Sequence, residues 1–112
     1  MQVQVVRRKD NLIVRLKGEF DHHTSSIFRR TVEKELKKEI VKNLIINVEN
    51  LTFMDSSGIG VILGRYKEVT SKGGKVVICG SNKHIKKILQ LGGVLNIIPI
   101  FSDENKAIAS VS

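Results

Sequence analysis

The chain has one cysteine, one proline and no tryptophan among its 112 residues. A lone thiol, Cys79, leaves no partner for an internal disulfide. At the end of an apolar strand it reads as a buried small hydrophobe, not a reactive thiolate. Four phenylalanines and one tyrosine are too few to build stacking platforms for single-stranded nucleic acid. No apolar run approaches the ~20 residues needed to span a bilayer. The opening MQVQVVRRKD has no continuous apolar core of the kind a secretory leader requires. The expectation is a cytoplasmic protein without a membrane partner.

Positive charge, by contrast, is abundant: the formal net charge is +8. Such an excess permits nucleic-acid or anionic-surface binding. The basic residues are mostly lysines spread along the chain, with no nucleic-acid motif. A solvated lysine-rich surface, with no direct nucleic-acid contact, is the expectation. The hydrophobic share of 41% and charged share of 27% are those of a globular domain, and the length suits one domain over residues 1–112.

Periodicity sets out the elements. Val3 and Val5 alternate with Gln2 and Gln4, and Leu12, Val14 and Leu16 alternate with Arg15 and Lys17. The spacing predicts strands over 2–8 and 11–17, turning at Lys9-Asp10-Asn11 as an antiparallel hairpin. Ile27, Phe28, Thr31, Val32, Leu36 and Ile40 predict an amphipathic helix over 24–40, capped by Thr24 or Asp21 and supported by a Glu33–Lys37 pair. Two apolar runs, 44–48 and 75–79, read as interior strands. Between them Ile59, Ile62, Leu63, Tyr66 and Val69 form one helical stripe, stopped at Lys72-Gly73-Gly74. A βαβ unit implies parallel strands and a right-handed crossover. Ile85, Ile88 and Leu89 mark a third helix ending at Gly92-Gly93. Residues 97–101 read as an edge strand, because Pro99 cannot donate to a ladder. Ser102 or Asp103 caps a last helix carrying Ala107, Ile108 and Val111. The expected fold class is α/β: a mixed, mostly parallel sheet of four to five strands, with an N-terminal hairpin and about four helices.

The stretch LTFMDSSGIGVILGRYKEV, residues 51–69, carries the chemistry. A nucleophile elbow needs glycine two residues before its serine. Met54 precedes Ser56 at that spacing and Asp55 precedes Ser57, so a hydrolase reading is weak. Glycines 58, 60 and 64 miss the dinucleotide fingerprint, which requires glycine where Leu63 stands. Asp21-His22-His23 invites a metal, yet no second ligand group has the spacing of a zinc site. Neither a metal nor a cofactor is expected. What remains is a serine pair after a parallel strand, at the start of a helix, on the edge where open α/β sheets carry their function. Plain capping needs one serine and leaves the glycines unexplained. Each glycine costs a helix about 1 kcal/mol relative to alanine. Ser57, Gly60, Val61 and Gly64 fall on one face beside the core stripe, which suggests close approach by the sheet or by another protein.

These residues, with GEFDHHT upstream, resemble the anti-sigma factor antagonists, whose STAS domain is shared with the cytoplasmic tails of sulfate transporters. The resemblance is to the members that act in the sporulation sigma factor F pathway. It implies that Ser56 is phosphorylated by an anti-sigma factor that is also an ATP-using serine kinase. It further implies that Asp55 orients the hydroxyl or the metal-bound nucleotide. Asp21, Asp55, Ser57, Gly58, Ile59, Gly60, Val61 and Gly64 would contact that partner. A metal-dependent serine phosphatase would restore the binding form, and the chain itself would not be an enzyme. The alternatives are an antagonist of a stress-response pathway, a nucleotide- or phosphate-binding sensor, and a hydrolase using Ser56.

Overall fold

Alternating Gln and Val residues at the start of the chain form β1 (Gln2–Arg8), which returns through Lys9 and Asp10 into β2 (Asn11–Phe20). The computed structural model describes residues 1–38 and 41–112. Lys9 takes a positive φ of 57°, the twist that a two-residue hairpin demands. The remaining elements are α1 (Ser25–Leu36), β3 (Asn43–Met54), α2 (Ser56–Ser71), β4 (Val76–Cys79), α3 (Lys83–Leu91), β5 (Ile100–Phe101) and α4 (Glu104–Val111). A 3-10 turn over Val94–Asn96 precedes β5. The sheet order is β1-β2-β3-β4-β5, antiparallel at β1–β2 and parallel at the other three pairings. The mixed five-strand sheet and four helices match the expected architecture.

The continuous apolar runs are explained by burial on both faces of the sheet. Leu12, Val14, Leu44, Ile46, Val76 and Ile78 pack against Phe28, Val32, Ile62, Val69, Ile85 and Leu89 of the first three helices. The alternate residues Ile13, Ile45, Val77 and Cys79 meet Ala107 of α4 on the other face. Cys79 is fully buried and free, and burial pushes its thiol up to about 12, so it is no thiolate at neutral pH.

Several boundaries differ from the sequence reading. β2 runs to Phe20 and β3 to Met54, well past residues 17 and 48. Two register shifts, one at Val48-Glu49 and one at Thr52, carry the pairing on, and Phe20 still pairs with Met54. Such bulges restore pairing that alternation alone does not foresee. α1 ends at Leu36, and the predicted Ile40 lies outside the described residues. Ile27 faces solvent at 37% exposure, and Glu33 pairs with Arg65 of α2 at 2.6 Å, not with Lys37. Of the predicted edge strand only Ile100 and Phe101 pair with β4, and Ile97 stays exposed. The α2 stop is as expected. Gly73 takes φ 81°, and its N–H and that of Gly74 reach back to the Thr70 and Val69 carbonyls in the Schellman pattern.

Candidate functional site

The carboxyl ends of β2 and β3 converge where Asp55 N–H donates to the Phe20 carbonyl at 3.2 Å. Each strand then releases a loop carrying an acid. After β2, Asp21 folds the chain back on itself. Its Oδ1 accepts from Thr24 N–H at 3.0 Å, and its own N–H donates to Thr24 Oγ1 at 2.9 Å. The Thr24 hydroxyl donates onward to the Glu19 carbonyl at 2.8 Å. The Thr24 backbone bond is the main reason the Asp21 carboxyl lies below its usual range, because donors to a carboxylate favour its charged form. Thr24 thus stands at the N-cap position of α1 without a side-chain cap bond.

After β3, Asp55 caps α2. Its Oδ1 accepts from Ser57 N–H at 2.9 Å and from Gly58 N–H at 3.4 Å. The N-cap is therefore the aspartate, not one of the two serines, and both serines lie inside the first helical turn. The second oxygen, Oδ2, accepts from the backbone N–H of His22 at 3.3 Å. One carboxylate so ties the 21–24 loop to the tip of α2 and fixes the two loops in register. Sequence reasoning missed His22 in this role, because a backbone donor leaves no side-chain signature.

Ser56 is exposed and Ser57 half-buried at this tip. The three glycines differ sharply. Gly58 is buried, and a methyl added there would lie 2.9 Å from Met54 Cγ and 3.0 Å from the Phe20 ring. This glycine lets α2 sit down on the β2–β3 edge. Around Gly60 and Gly64 a methyl would meet nothing within 4 Å, so those two open toward solvent and not toward the sheet. Val61 is not off the core, since it is half-buried and packs against the three-helix cluster, as does Ile59. Ile59 leans on Gly92, where an added methyl would be 2.6 Å from Ile59 Cδ1. The expected contact set therefore divides. Asp21, Asp55, Ser56 and Ser57 stand at the tip, Gly60 and Gly64 open to free space farther along α2, and Gly58, Ile59 and Val61 seat the helix.

Two further residues escape a sequence reading. Phe53 is 43% exposed on β3, one step from the tip. Asn82 caps α3 through Ile85 N–H, and its Nδ2 donates toward the carbonyls of Val48, Glu49 and Leu51. The Ser-Asn pair before α3 is a readable cap signal. Its grip on the irregular part of β3 is not, because those partners lie more than thirty residues away.

The model of the STAS domain matches residues 2–107. The chain belongs to the STAS domain family. It is 38% identical to the anti-sigma F factor antagonist of Paenibacillus polymyxa over 99% of this chain and 95% of that one. Among solved structures it resembles the anti-sigma factor antagonist SpoIIAA in its unphosphorylated form, with TM-score 0.86, 30% identity, and 98% of this chain and 96% of that chain covered. It also resembles the Bacillus cell fate determinant SpoIIAA in the phosphorylated form, with TM-score 0.78 and 29% identity over 99% of this chain and all of the other. Among the described residues, no helix is long and apolar enough to cross a membrane.

Proposed function

We propose that this STAS domain is an anti-sigma factor antagonist switched by phosphorylation of Ser56. The unphosphorylated form binds an anti-sigma factor that is also an ATP-using serine kinase, and so frees the sigma factor. A metal-dependent serine phosphatase reverses the modification. The observation that carries this reading is the exposed Ser56 at the open tip of α2, beside the Asp55–His22 link. The names of the similar proteins, one solved in a phosphorylated form, support it.

A kinase active site needs an acceptor hydroxyl free of other duties. Asp55 takes the capping duty, which leaves Ser56 available. Its phosphate adds about −1.5 to −2 charges beside Asp55 and Asp21. The helix N-terminus favours negative charge by ~0.3–1 kcal/mol, so the fold tolerates the group. A close interface with a nucleotide-bearing kinase does not, and a loss of ~3 kcal/mol weakens binding more than a hundredfold. The test is intact-mass analysis after incubation with the cognate kinase and ATP, beside Ser56→Ala. Phosphorylation of Ser56→Ala at Ser57 overturns the assignment of the acceptor. Equal affinity of both forms for the kinase overturns the switch.

A further inference from the structure

The lysines that lie scattered in the sequence are gathered by the fold at the end of the sheet opposite Ser56. Lys9 sits in the β1–β2 turn. Lys42 follows α1 in the chain and donates its backbone N–H to the Asp10 carbonyl at 2.7 Å. Lys37 and Lys72 occupy the C-caps of α1 and α2, and Lys75 borders the start of β4, its carbonyl accepting from Leu44. Lys37, Lys38, Lys42 and Lys72 surround one open cavity of about 800 Å³, whose apolar floor is Leu36, Val41 and Val69. All the lysines named, and Arg8, are exposed.

The acids at this end are few. Glu35 is paired with Arg7 and Lys38, Glu68 with Arg65, and both Glu68 and Asp10 line the cavity. Glu39 of the same segment lies outside the described residues. Two of the lysines have a local duty, since cations suit helix C-termini. Lys38 is held by Glu35, whereas Lys9, Lys42 and Lys75 make no salt bridge among the described residues. At the other end of the sheet the acids Glu19, Asp21 and Asp55 stand on the β2 and β3 ends that carry the tip.

We propose that this basic pole docks the domain on an anionic lipid surface. Compact ammonium groups around a shallow apolar floor suit phosphate headgroups above a hydrocarbon boundary. The residues that line the cavity include no aromatic and no arginine, and the nearby Arg7 and Arg65 are engaged by Glu35 and Glu68, so the cavity lacks the stacking and bidentate groups that nucleic acid recruits. α2 runs from Ser56 to the pole, roughly 24 Å at 1.5 Å per residue. A domain held by this end presents its switch serine away from the surface, outside the ~8–10 Å reach of unscreened charge.

The experiment is co-sedimentation with vesicles of phosphatidylglycerol and phosphatidylcholine at low and high salt. A pole variant carries Lys37→Gln, Lys38→Gln, Lys42→Gln and Lys72→Gln. A control of equal net charge carries Lys83→Gln, Lys86→Gln, Lys87→Gln and Lys106→Gln. Near a surface each lysine contributes roughly fivefold in partitioning, so the pole variant is expected to bind at least tenfold more weakly than the control. Binding of the unchanged chain is expected to vanish at high salt and on pure phosphatidylcholine. If the pole variant melts early, Lys9→Gln, Lys42→Gln and Lys75→Gln, which spare the helix ends, replace it with the same expectation. Equal loss in pole and control variants overturns the proposal, as does no binding to the anionic vesicles. Tighter binding to duplex DNA than to the vesicles overturns the choice of partner.

Discussion

The two faces of the sheet are built on different physics. One carries α1, α2 and α3 over a large apolar cluster that includes the Phe20–Phe28 pair, whose ring centroids are 5.0 Å apart. The other carries α4 alone, whose buried Ala107 lies over four buried residues of the sheet. There polar contacts do much of the holding. Arg15 makes two bonds to Glu104, Nε to Oε2 at 2.7 Å and Nη2 to Oε1 at 2.9 Å, and Asn47 donates to the same carboxylate at 2.7 Å. Asn43 donates to Asn11 at 3.0 Å and accepts from Lys75 N–H. The candidate tip grows from the apolar face, where Gly58 seats the start of α2 against Met54 and Phe20. The α4 face, with the smaller apolar cluster, leans more heavily on directed bonds to one carboxylate, whereas the ion pairs of the other face sit beside a large apolar core.

The largest effect is expected from Phe28→Ala. Its ring is fully buried, and emptying that volume costs ~3–5 kcal/mol, read by urea unfolding. A loss below ~1.5 kcal/mol would show that α1 is not seated by its core stripe and would blur the contrast between the faces.

Glu104→Gln attacks the second face. It keeps the side-chain size and removes the charge from two bonds to arginine, for a loss of ~1–2 kcal/mol. Amide exchange is expected to accelerate first in α4. The Arg15 bonds, more than that of Asn47, hold the Glu104 carboxyl below its usual 4.5 against the opposing effect of burial. A depressed folded value means the folded state binds its proton less readily than the unfolded one. Its stabilisation is full above about pH 4.5 and fades as pH falls through the lower folded value. The glutamine variant should therefore show a shallower acid loss of stability than the parent. Parallel curves would remove Glu104 from the account.

Asp55→Ala is expected to cost about 1 kcal/mol as a lost N-cap. It also frees the His22 N–H, so NMR shifts should spread into the 21–24 loop. Shifts confined to α2 would mean that the two loops are not coupled through this carboxylate.

Much of this arrangement is legible in the sequence. The β4-side βαβ unit, the stripe of α2 and its glycine stop follow from period and turn chemistry. So does the placing of Asp55-Ser56 at the strand-to-helix junction. The rest depends on partners distant in sequence. The extension of β3 through Glu49-Asn50 rests on bulges against β2. Glu33 chose Arg65 on a neighbouring helix over Lys37 on its own, because helix packing brings α2 alongside. Val61, placed off the core by its angle on the helical wheel, is half-buried because α2 has helices on its flanks as well as a sheet beneath it. The lysine pole is invisible to any linear scan, since its members come from three separate stretches of the chain.

The smallest effect concerns the glycines of α2, which carry the contrast between packed and open surfaces within one helix. Gly60→Ala adds a methyl into open space and removes backbone freedom from the unfolded chain. It is expected to stabilise the fold by ~0.5–1 kcal/mol. Gly58→Ala, by contrast, must displace Met54 or Phe20 and is expected to destabilise it. Thermal melts of the two variants should therefore move in opposite directions. If Gly60 is kept bare for a partner's close approach, its variant melts higher yet binds the anti-sigma factor more weakly by calorimetry. A Gly60→Ala protein that is both more stable and equally tight in binding would move the docking surface away from this face of α2.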